Sequence, residues 1–101
     1  MTVTRVLVPA GVLGLGGTAE ALARGVAAGC DLIAIDGGST DSGPHSLGTG
    51  ASKYSRAVCK SEWRALMLAR AELGVPLVIG TSGTCGTDST VEWMFEITRE
   101  L

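Results

Sequence analysis

The chain of 101 residues is poor in aromatic side chains and has no excess of positive charge. Only 4% of its residues are Phe, Trp or Tyr, and eight Lys and Arg stand against ten Asp and Glu. A protein that neutralises many phosphates of a nucleic acid carries clustered basic residues, and this sequence contains no such cluster. The composition therefore argues against a nucleic acid partner.

Cysteine is also sparse, because Cys30, Cys59 and Cys85 are far apart and form no Cys-x-x-Cys pair. An odd number at this spacing is typical neither of a disulfide framework nor of a structural zinc site. Reduced thiols are the simpler interpretation, so we predict a cytoplasmic protein, and the residues assign no metal ligands. The apolar stretch 6–17 resembles part of a secretory signal peptide, but Pro9 and several glycines interrupt it. No apolar run approaches the roughly 18 residues of a membrane span.

Three short apolar runs recur along the chain, and each is bounded by Gly, Pro or Asp. Their sequences are VLV, LIAI and LVI. Short runs of this kind, rich in β-branched residues, are typical of buried strands in a parallel sheet. They predict strands near residues 3–8, 31–36 and 76–80.

A helix signal follows each of these runs. Thr18 and Ser55 are residue types that accept hydrogen bonds at a helix start, and Ser89 with Glu92 has the spacing of a capping box. Gly74 suits the left-handed position that ends a helix. These signals predict helices near residues 18–29, 55–73 and 89–101.

The alternation of strand and helix predicts an α/β fold, an open parallel sheet of β-α-β units with three strands and three helices. So small a sheet has unpaired edges and little buried surface. We therefore expect residues 1–101 to be the N-terminal part of a single α/β domain that is incomplete by itself. The remainder of a larger domain, or a homo-oligomer formed through the open sheet edge, would complete it.

The three loops that follow the predicted strands, residues 9–17, 36–54 and 80–88, should gather at one edge of the sheet. Ligands of open parallel sheets bind outside the carboxyl ends of the strands. The second loop contains the stretch DGGSTDSGPHSLGTG, and the third reads GTSGTCGTD. Glycines let backbone N–H groups approach a ligand closely, and hydroxyls add further donors. The loops therefore favour a small anionic ligand.

Two nucleotide-binding patterns are present in weak form. Residues 14–19 satisfy G-x-G-x-x-A, with Asp36 at a suitable distance, but five residues separate the motif from its strand. Residues 35–40 resemble the phosphate-loop hairpin of the sugar-kinase and actin superfamily, but the Gly-Pro pair at 43–44 interrupts the strand that should follow. A nucleotide-binding domain therefore stays an alternative.

Three residues are catalytic candidates. Asp36 and Asp41 would orient hydroxyls or a metal, and His45 would move a proton, since histidine is the usual general base near neutral pH. Each has a structural alternative: Asp36 can cap its own turn, Asp41 can be a solvated loop residue, and His45 can simply be exposed. The residues do not identify a cofactor. The substrate-binding candidates are Gly37, Gly38, Ser39, Thr40, Lys53, Ser82, Thr84 and Asp88.

Some of these candidates carry a second interpretation. Lys53 lies near a helix start, where a positive charge does not compensate the helix dipole, so a ligand anion is a reasonable partner. Asp88 is a good residue type for starting the last helix, although it could also bind magnesium beside Ser82 and Thr84. Cys85 lies in a glycine loop near a helix start, so it is either an activated thiol or a small buried residue.

Four longer stretches carry a resemblance to a known family. They are VLVPAGVLGLG, IAIDGGSTDSGP, LGTGASKYSR and RAELGVPLVIGTSGTCGTDS. Together they resemble the start of the acyclic terpene utilisation (AtuA-like) N-terminal domain family, over nearly the whole chain. Members of that family are several hundred residues long, so the resemblance implies a first portion only.

The resemblance implies a cytosolic catabolic protein associated with isoprenoid acids and their coenzyme A thioesters, and a lyase acting on a branched hydroxyacyl-CoA. One departure is His45-Ser46, where the family pattern has aromatic residues. We therefore expect a site for an anionic hydroxy acid or acyl-CoA. The alternatives are a noncatalytic domain that binds a small anion or nucleotide, or an inactive truncated product.

Overall fold

The structure, a computed structural model, describes residues 2–38 and 42–101. Its elements are β1 (Val6–Leu7), α1 (Ala19–Ala28), β2 (Leu32–Asp36), α2 (Gly43–Thr49), α3 (Arg56–Leu73), β3 (Leu77–Gly80) and α4 (Asp88–Glu100). The strands form one parallel sheet in the order β1-β2-β3. The predicted α/β fold with an open parallel sheet is therefore confirmed.

The strand β2 lies at the centre of the sheet and sets the position of the loops. Ile33 lies opposite Leu7 on one side and Leu77 on the other. At the carboxyl end, Asp36 lies opposite Gly80. The loops that follow β2 and β3 consequently begin side by side at one edge of the sheet.

The helices α1, α3 and α4 pack on one face of the sheet. Ile35 of β2 shares a buried cluster with Trp63 of α3 and with Met94 and Ile97 of α4, and Leu22 of α1 packs against that cluster. These side chains recur at helical spacing along α3 and α4, as expected for helices with one apolar face. The core is therefore a single layer between the helices and the sheet.

The other face of the sheet exposes apolar side chains to solvent. Val6 of β1 is 50% exposed and Val78 of β3 is 49% exposed, while Ala34, opposite Val78 on β2, is half-buried. Parallel sheets are usually covered on both faces. Within the described part of the chain, this sheet is packed on one side only.

Three helix-end predictions are confirmed and one is wrong. Thr18 accepts a hydrogen bond from the backbone of Ala21, Ser55 does the same for Val58, and Gly74 ends α3 with a φ of +66°. The start of α4 was predicted at Ser89, but the capping side chain is Thr87, which accepts from the Thr90 backbone nitrogen. Thr87 has the extended backbone of an N-cap, and the helix has already begun at Asp88.

The helix α2 lies within the segment 36–54, which was predicted as a continuous loop. This helix is seven residues long, with Pro44 in its first turn and Gly50 closing it at a φ of +71°. Proline is tolerated there because the first N–H groups of a helix have no partner inside the helix.

Among residues 2–38 and 42–101, none of the helices has the length and apolar character of a membrane span.

Candidate functional site

The loops that follow β2 and β3 are joined through their backbones. The Gly37 nitrogen donates to the Gly80 carbonyl at 2.6 Å, and the Thr84 nitrogen donates to the Gly37 carbonyl at 3.0 Å. The Gly38 nitrogen donates to a carboxylate oxygen of Asp36 at 3.0 Å. The two loops therefore meet at the sheet edge, as the topology predicts.

Glycine is required at both positions of this junction. A Cβ atom at Gly38 would overlap the carbonyl oxygen of Thr84, and one at Gly37 would lie 2.6 Å from the carbonyl oxygen of Thr81. Real Cβ atoms do not approach backbone this closely, so any larger residue would push the loops apart. The glycines at 37 and 38 thus serve the packing of one loop on the other.

The third loop contains two threonines in the left-handed region, Thr81 with a φ of +55° and Thr84 with a φ of +80°. A β-branched residue with such a φ is strained by about 1–3 kcal/mol and persists only where surrounding contacts hold it. Thr84 is fully buried, and its hydroxyl accepts a hydrogen bond from the Lys53 nitrogen at 2.9 Å. The strained residue therefore connects this loop to residues 52–53 as well as to Gly37.

A cavity of about 410 Å³ lies beside this junction, between α2 and the segment that follows it. Among the described residues that line it, the only full positive charge is the Lys53 ammonium, whose Nζ lies 3.0 Å from the Ser42 hydroxyl. We refer to this cavity as the polar pocket. Its polar lining side chains are Ser42, His45, Ser46, Thr49, Ser52 and Lys53.

One hydroxyl of the polar pocket is unusual. Ser46 is only 1% exposed, and its Oγ has no hydrogen-bond partner among the described residues. Ser52, a lining serine that follows α2, accepts from the Tyr54 nitrogen at 3.2 Å and lies 3.3 Å from the Thr84 hydroxyl. Ser46 alone in this pair is left unsatisfied.

The structure brings several predicted site residues to one edge of the sheet. His45 and Lys53 line the polar pocket, and both are exposed. Gly37, Gly38 and Thr84 are buried beneath it and hold the loops in place. Their predicted contact with substrate stays a prediction.

Other predicted residues lie elsewhere. Asp36 is exposed at the end of β2, where one carboxylate oxygen already caps its own turn. Ser82 is buried in the third loop, and Asp88 is exposed in the first turn of α4; neither lines the polar pocket. The predicted residues Ser39, Thr40 and Asp41 lie outside the residues that the structure describes.

Four polar lining residues, Ser42, Ser46, Thr49 and Ser52, were not among the predicted site residues. They belong to α2 or adjoin it, and α2 was not predicted. The signal that would have revealed this helix is Pro44 near its start with Gly50 at its end, since these two residue types mark helix boundaries in this order.

A second cavity, of about 220 Å³, lies between the first loop, α1 and α3 and is mainly apolar. At its border the Glu62 carboxylate accepts a hydrogen bond from the Gly14 nitrogen. In a dinucleotide fold, backbone nitrogens of the glycine motif bind the pyrophosphate. The Glu62 carboxylate occupies the Gly14 nitrogen here, and the nucleotide alternative stays a prediction.

The environments of two cysteines differ. Hydrogen bonding to the Thr87 hydroxyl, which lies 3.6 Å from the sulfur, lowers the pKa of Cys85, and Thr90 contributes as well. Burial raises the pKa of Cys59 in the core.

In the part of the chain that the structure describes, no three His, Cys, Asp or Glu side chains are close enough to share a metal ion.

Comparisons with family models, with curated proteins and with solved structures find no match for this chain. The resemblance to the acyclic terpene utilisation family therefore depends on the four sequence stretches alone. What the site can do follows from its own chemistry: one ammonium group, several hydroxyls and one histidine around a cavity at the sheet edge.

Proposed function

We propose that the carboxyl-edge loops bind a small hydroxylated anion, in a catabolic protein of the acyclic terpene utilisation type. The observation that carries the proposal is the polar pocket, where the Lys53 ammonium stands among neutral hydroxyls. An ammonium group attracts a carboxylate or phosphate, and hydrogen bonds between ionised partners are about twice as strong as neutral ones. A ligand with a negative charge and hydroxyl groups matches these donors best.

The rigid junction beneath the pocket supports this proposal. The hydroxyl of Thr84 holds the backbone of Lys53, and the backbone of Gly37 holds Thr84. Binding sites are effective when their side chains stand on segments whose positions are already fixed, because little ordering entropy is then lost on binding. The strain at Thr84 is consistent with such a role.

In the enzymatic form of the proposal, the substrate is a branched hydroxyacyl-CoA and the protein is a lyase. His45, which lines the polar pocket, would take the proton of the substrate hydroxyl as the neighbouring carbon–carbon bond breaks, and would return it to the carbanion of the thioester fragment. Asp36 does not line the polar pocket, so it would orient only a substrate hydroxyl that extends from the pocket to the end of β2, with the carboxylate oxygen that Gly38 does not occupy.

A noncatalytic anion-binding domain is the second candidate. The hydrogen bond from the Gly38 nitrogen to Asp36 favours it, because that bond gives the carboxylate a role in the turn. In this form Lys53 and the hydroxyls bind the anion and no side chain transfers a proton.

Isothermal titration calorimetry of the full chain with sodium glycolate, at constant ionic strength, tests the anion site. We expect Lys53→Gln to weaken binding by roughly tenfold or more, since hydrogen bonds to charged groups contribute about 1.5–3 kcal/mol. The matched control is Lys60→Gln, because the other lysine pairs with Glu100 on α4. Equal effects of the two variants, or no binding of glycolate, would contradict the proposal.

A second measurement separates the two forms of the proposal. In the enzymatic form, His45→Asn should lower turnover of a hydroxyacyl-CoA by about 10²–10⁴ while ligand affinity changes little. In the noncatalytic form, wild type shows no turnover and the affinities of wild type and His45→Asn agree.

A further inference from the structure

We infer that the anion bound in the polar pocket is the carboxylate of a short hydroxy acid and not a phosphate group, and that Ser46 donates a hydrogen bond to this ligand. The inference rests on the proposed anion site and goes further, because it chooses between the two kinds of oxyanion. It also assigns a role to a residue that was not among the predicted site residues.

The first observation is that the Ser46 hydroxyl has no hydrogen-bond partner among the described residues. A serine within a helix ordinarily gives its hydroxyl to a nearby backbone carbonyl when water is excluded. On the same helix, Thr49 does this, donating to the His45 carbonyl at 3.0 Å. Ser46 is 1% exposed and makes no such bond among the residues described. Buried polar atoms without a protein partner are rare, and they are explained by a functional role or by a bound water, ion or ligand.

The second observation is that the other lining hydroxyls are already engaged. Thr49 donates to His45 and accepts from the Ala51 nitrogen at 3.4 Å. Ser52 contacts Thr84 and Tyr54, and Ser42 contacts the Lys53 ammonium. Among the described residues that line the pocket, Ser46 is therefore the hydroxyl left as a donor for an incoming oxygen.

The third observation is the amount of positive charge. The lining residues that the structure describes include one lysine and no arginine. Phosphate groups carry up to two negative charges, and their sites commonly use the planar fork of arginine or several cations. One ammonium group balances one carboxylate. The volume of about 410 Å³ is at the lower end of the ~300–1,000 Å³ of small-molecule pockets, which suits a short acid.

The experiment compares glycolate with inorganic phosphate, each titrated into the full chain by calorimetry at constant ionic strength. We expect glycolate to bind at least about tenfold more tightly than phosphate. Ser46→Ala should weaken glycolate binding by roughly tenfold, because it removes a hydrogen bond to a charged oxygen. The matched control is Ser61→Ala, which changes an exposed serine of α3.

Thermal unfolding of the ligand-free chain gives a second readout, which a purely structural serine would not match. Ser46→Ala removes a buried atom that has no partner, so the variant should unfold about 4–8 °C higher than wild type while it binds glycolate less well. A lower unfolding temperature would show that the hydroxyl has a structural partner and would overturn the assignment of Ser46.

The outcomes distinguish this inference from the proposed function. If neither glycolate nor phosphate binds, the anion site itself is wrong. If phosphate binds as tightly as glycolate and Lys53→Gln still weakens both, the anion site stands and the choice of a carboxylate is overturned. If glycolate binds equally to wild type and Ser46→Ala, the role of Ser46 is overturned.

Discussion

The hydroxyl oxygen of Thr84 accepts a hydrogen bond from the backbone nitrogen of Lys53, 2.9 Å away and 31 residues earlier in the chain. Thr84 is fully buried and has a φ of +80°, in a region that β-branched residues rarely adopt. Its backbone nitrogen is bound in turn by the Gly37 carbonyl. The position of the lysine that lines the polar pocket thus depends on one strained threonine.

Replacing Thr84 tests this dependence. Thr84→Val keeps the shape of the side chain but removes the acceptor, which should cost about 1–3 kcal/mol of stability. Thr84→Ser keeps the acceptor and loses one methyl group, worth about 0.8 kcal/mol. Amide hydrogen exchange at Lys53, measured against the amides of α3, should become faster in the valine variant only. Equal exchange in both variants would show that the hydroxyl is not needed.

The packing of the two loops predicts different outcomes for two glycine substitutions. Gly38→Ala places a Cβ on the Thr84 carbonyl oxygen, and we expect it to lower the free energy of unfolding by about 1–3 kcal/mol. Gly80→Ala is the control, because a Cβ there meets nothing within 4 Å, and its effect should stay within about 0.5 kcal/mol. Urea titrations give both values. A similar stability for the two variants would mean that the loops do not pack this closely.

A surface cluster predicts part of the acid sensitivity. Hydrogen bonds from the Arg56 guanidinium, and then from the Lys60 ammonium, lower the pKa of Glu100 from 4.5 to about 2. This pKa is lower in the folded than in the unfolded chain. The cluster therefore stabilises the folded chain fully above pH ~4.5, and this stabilisation is lost as the pH falls towards 2.

Urea midpoints at pH 7 and pH 3 test this prediction. Wild type should lose more stability than Glu100→Gln over that interval, and the difference should shrink in 1 M salt because the groups are exposed. The control is Glu92→Gln, an exposed residue of the same helix. Identical acid sensitivity of wild type and Glu100→Gln would contradict the role of the cluster.

The cysteines should differ in reactivity. The thiolate is the reactive form, and the Thr87 hydroxyl lowers the pKa of Cys85, whereas burial raises the pKa of Cys59. Iodoacetamide at pH 7.5 should therefore label Cys85 first, as followed by peptide mass spectrometry over time. Cys59 serves as the control within the same molecule. Faster labelling of Cys59 would show that the core opens readily or that Thr87 does not contact the thiol.

The features that the sequence predicts well are those that depend on local residue types. The strands follow from runs of β-branched residues, and Thr18 and Ser55 cap their helices as their side chains suggest. The helix α2 escapes this reasoning because its seven residues, GPHSLGT, include two glycines and a proline, which have the lowest helix propensities. The burial of Ser46 depends on that helix and could not be predicted without it.

The positive φ of Thr84 could not be predicted from the sequence for a different reason. A threonine by itself avoids a positive φ, so Thr84 has this conformation against its own preference. The contacts that impose it come from Gly37 and from Lys53, which are distant in sequence. The conformation of Thr84 can therefore be explained only from the folded contacts of the segments around Gly37, Lys53 and Thr84.

Because the helices pack on one face of the sheet only, side chains on the opposite face can be changed without altering the polar pocket. Val6 and Val78 lie on the exposed face, while residues 42–53 lie beyond the ends of the strands. Threonine is a strand former of nearly the same shape as valine. Threonine at these two positions would make the protein easier to handle at high concentration and leave every side chain of the polar pocket in place.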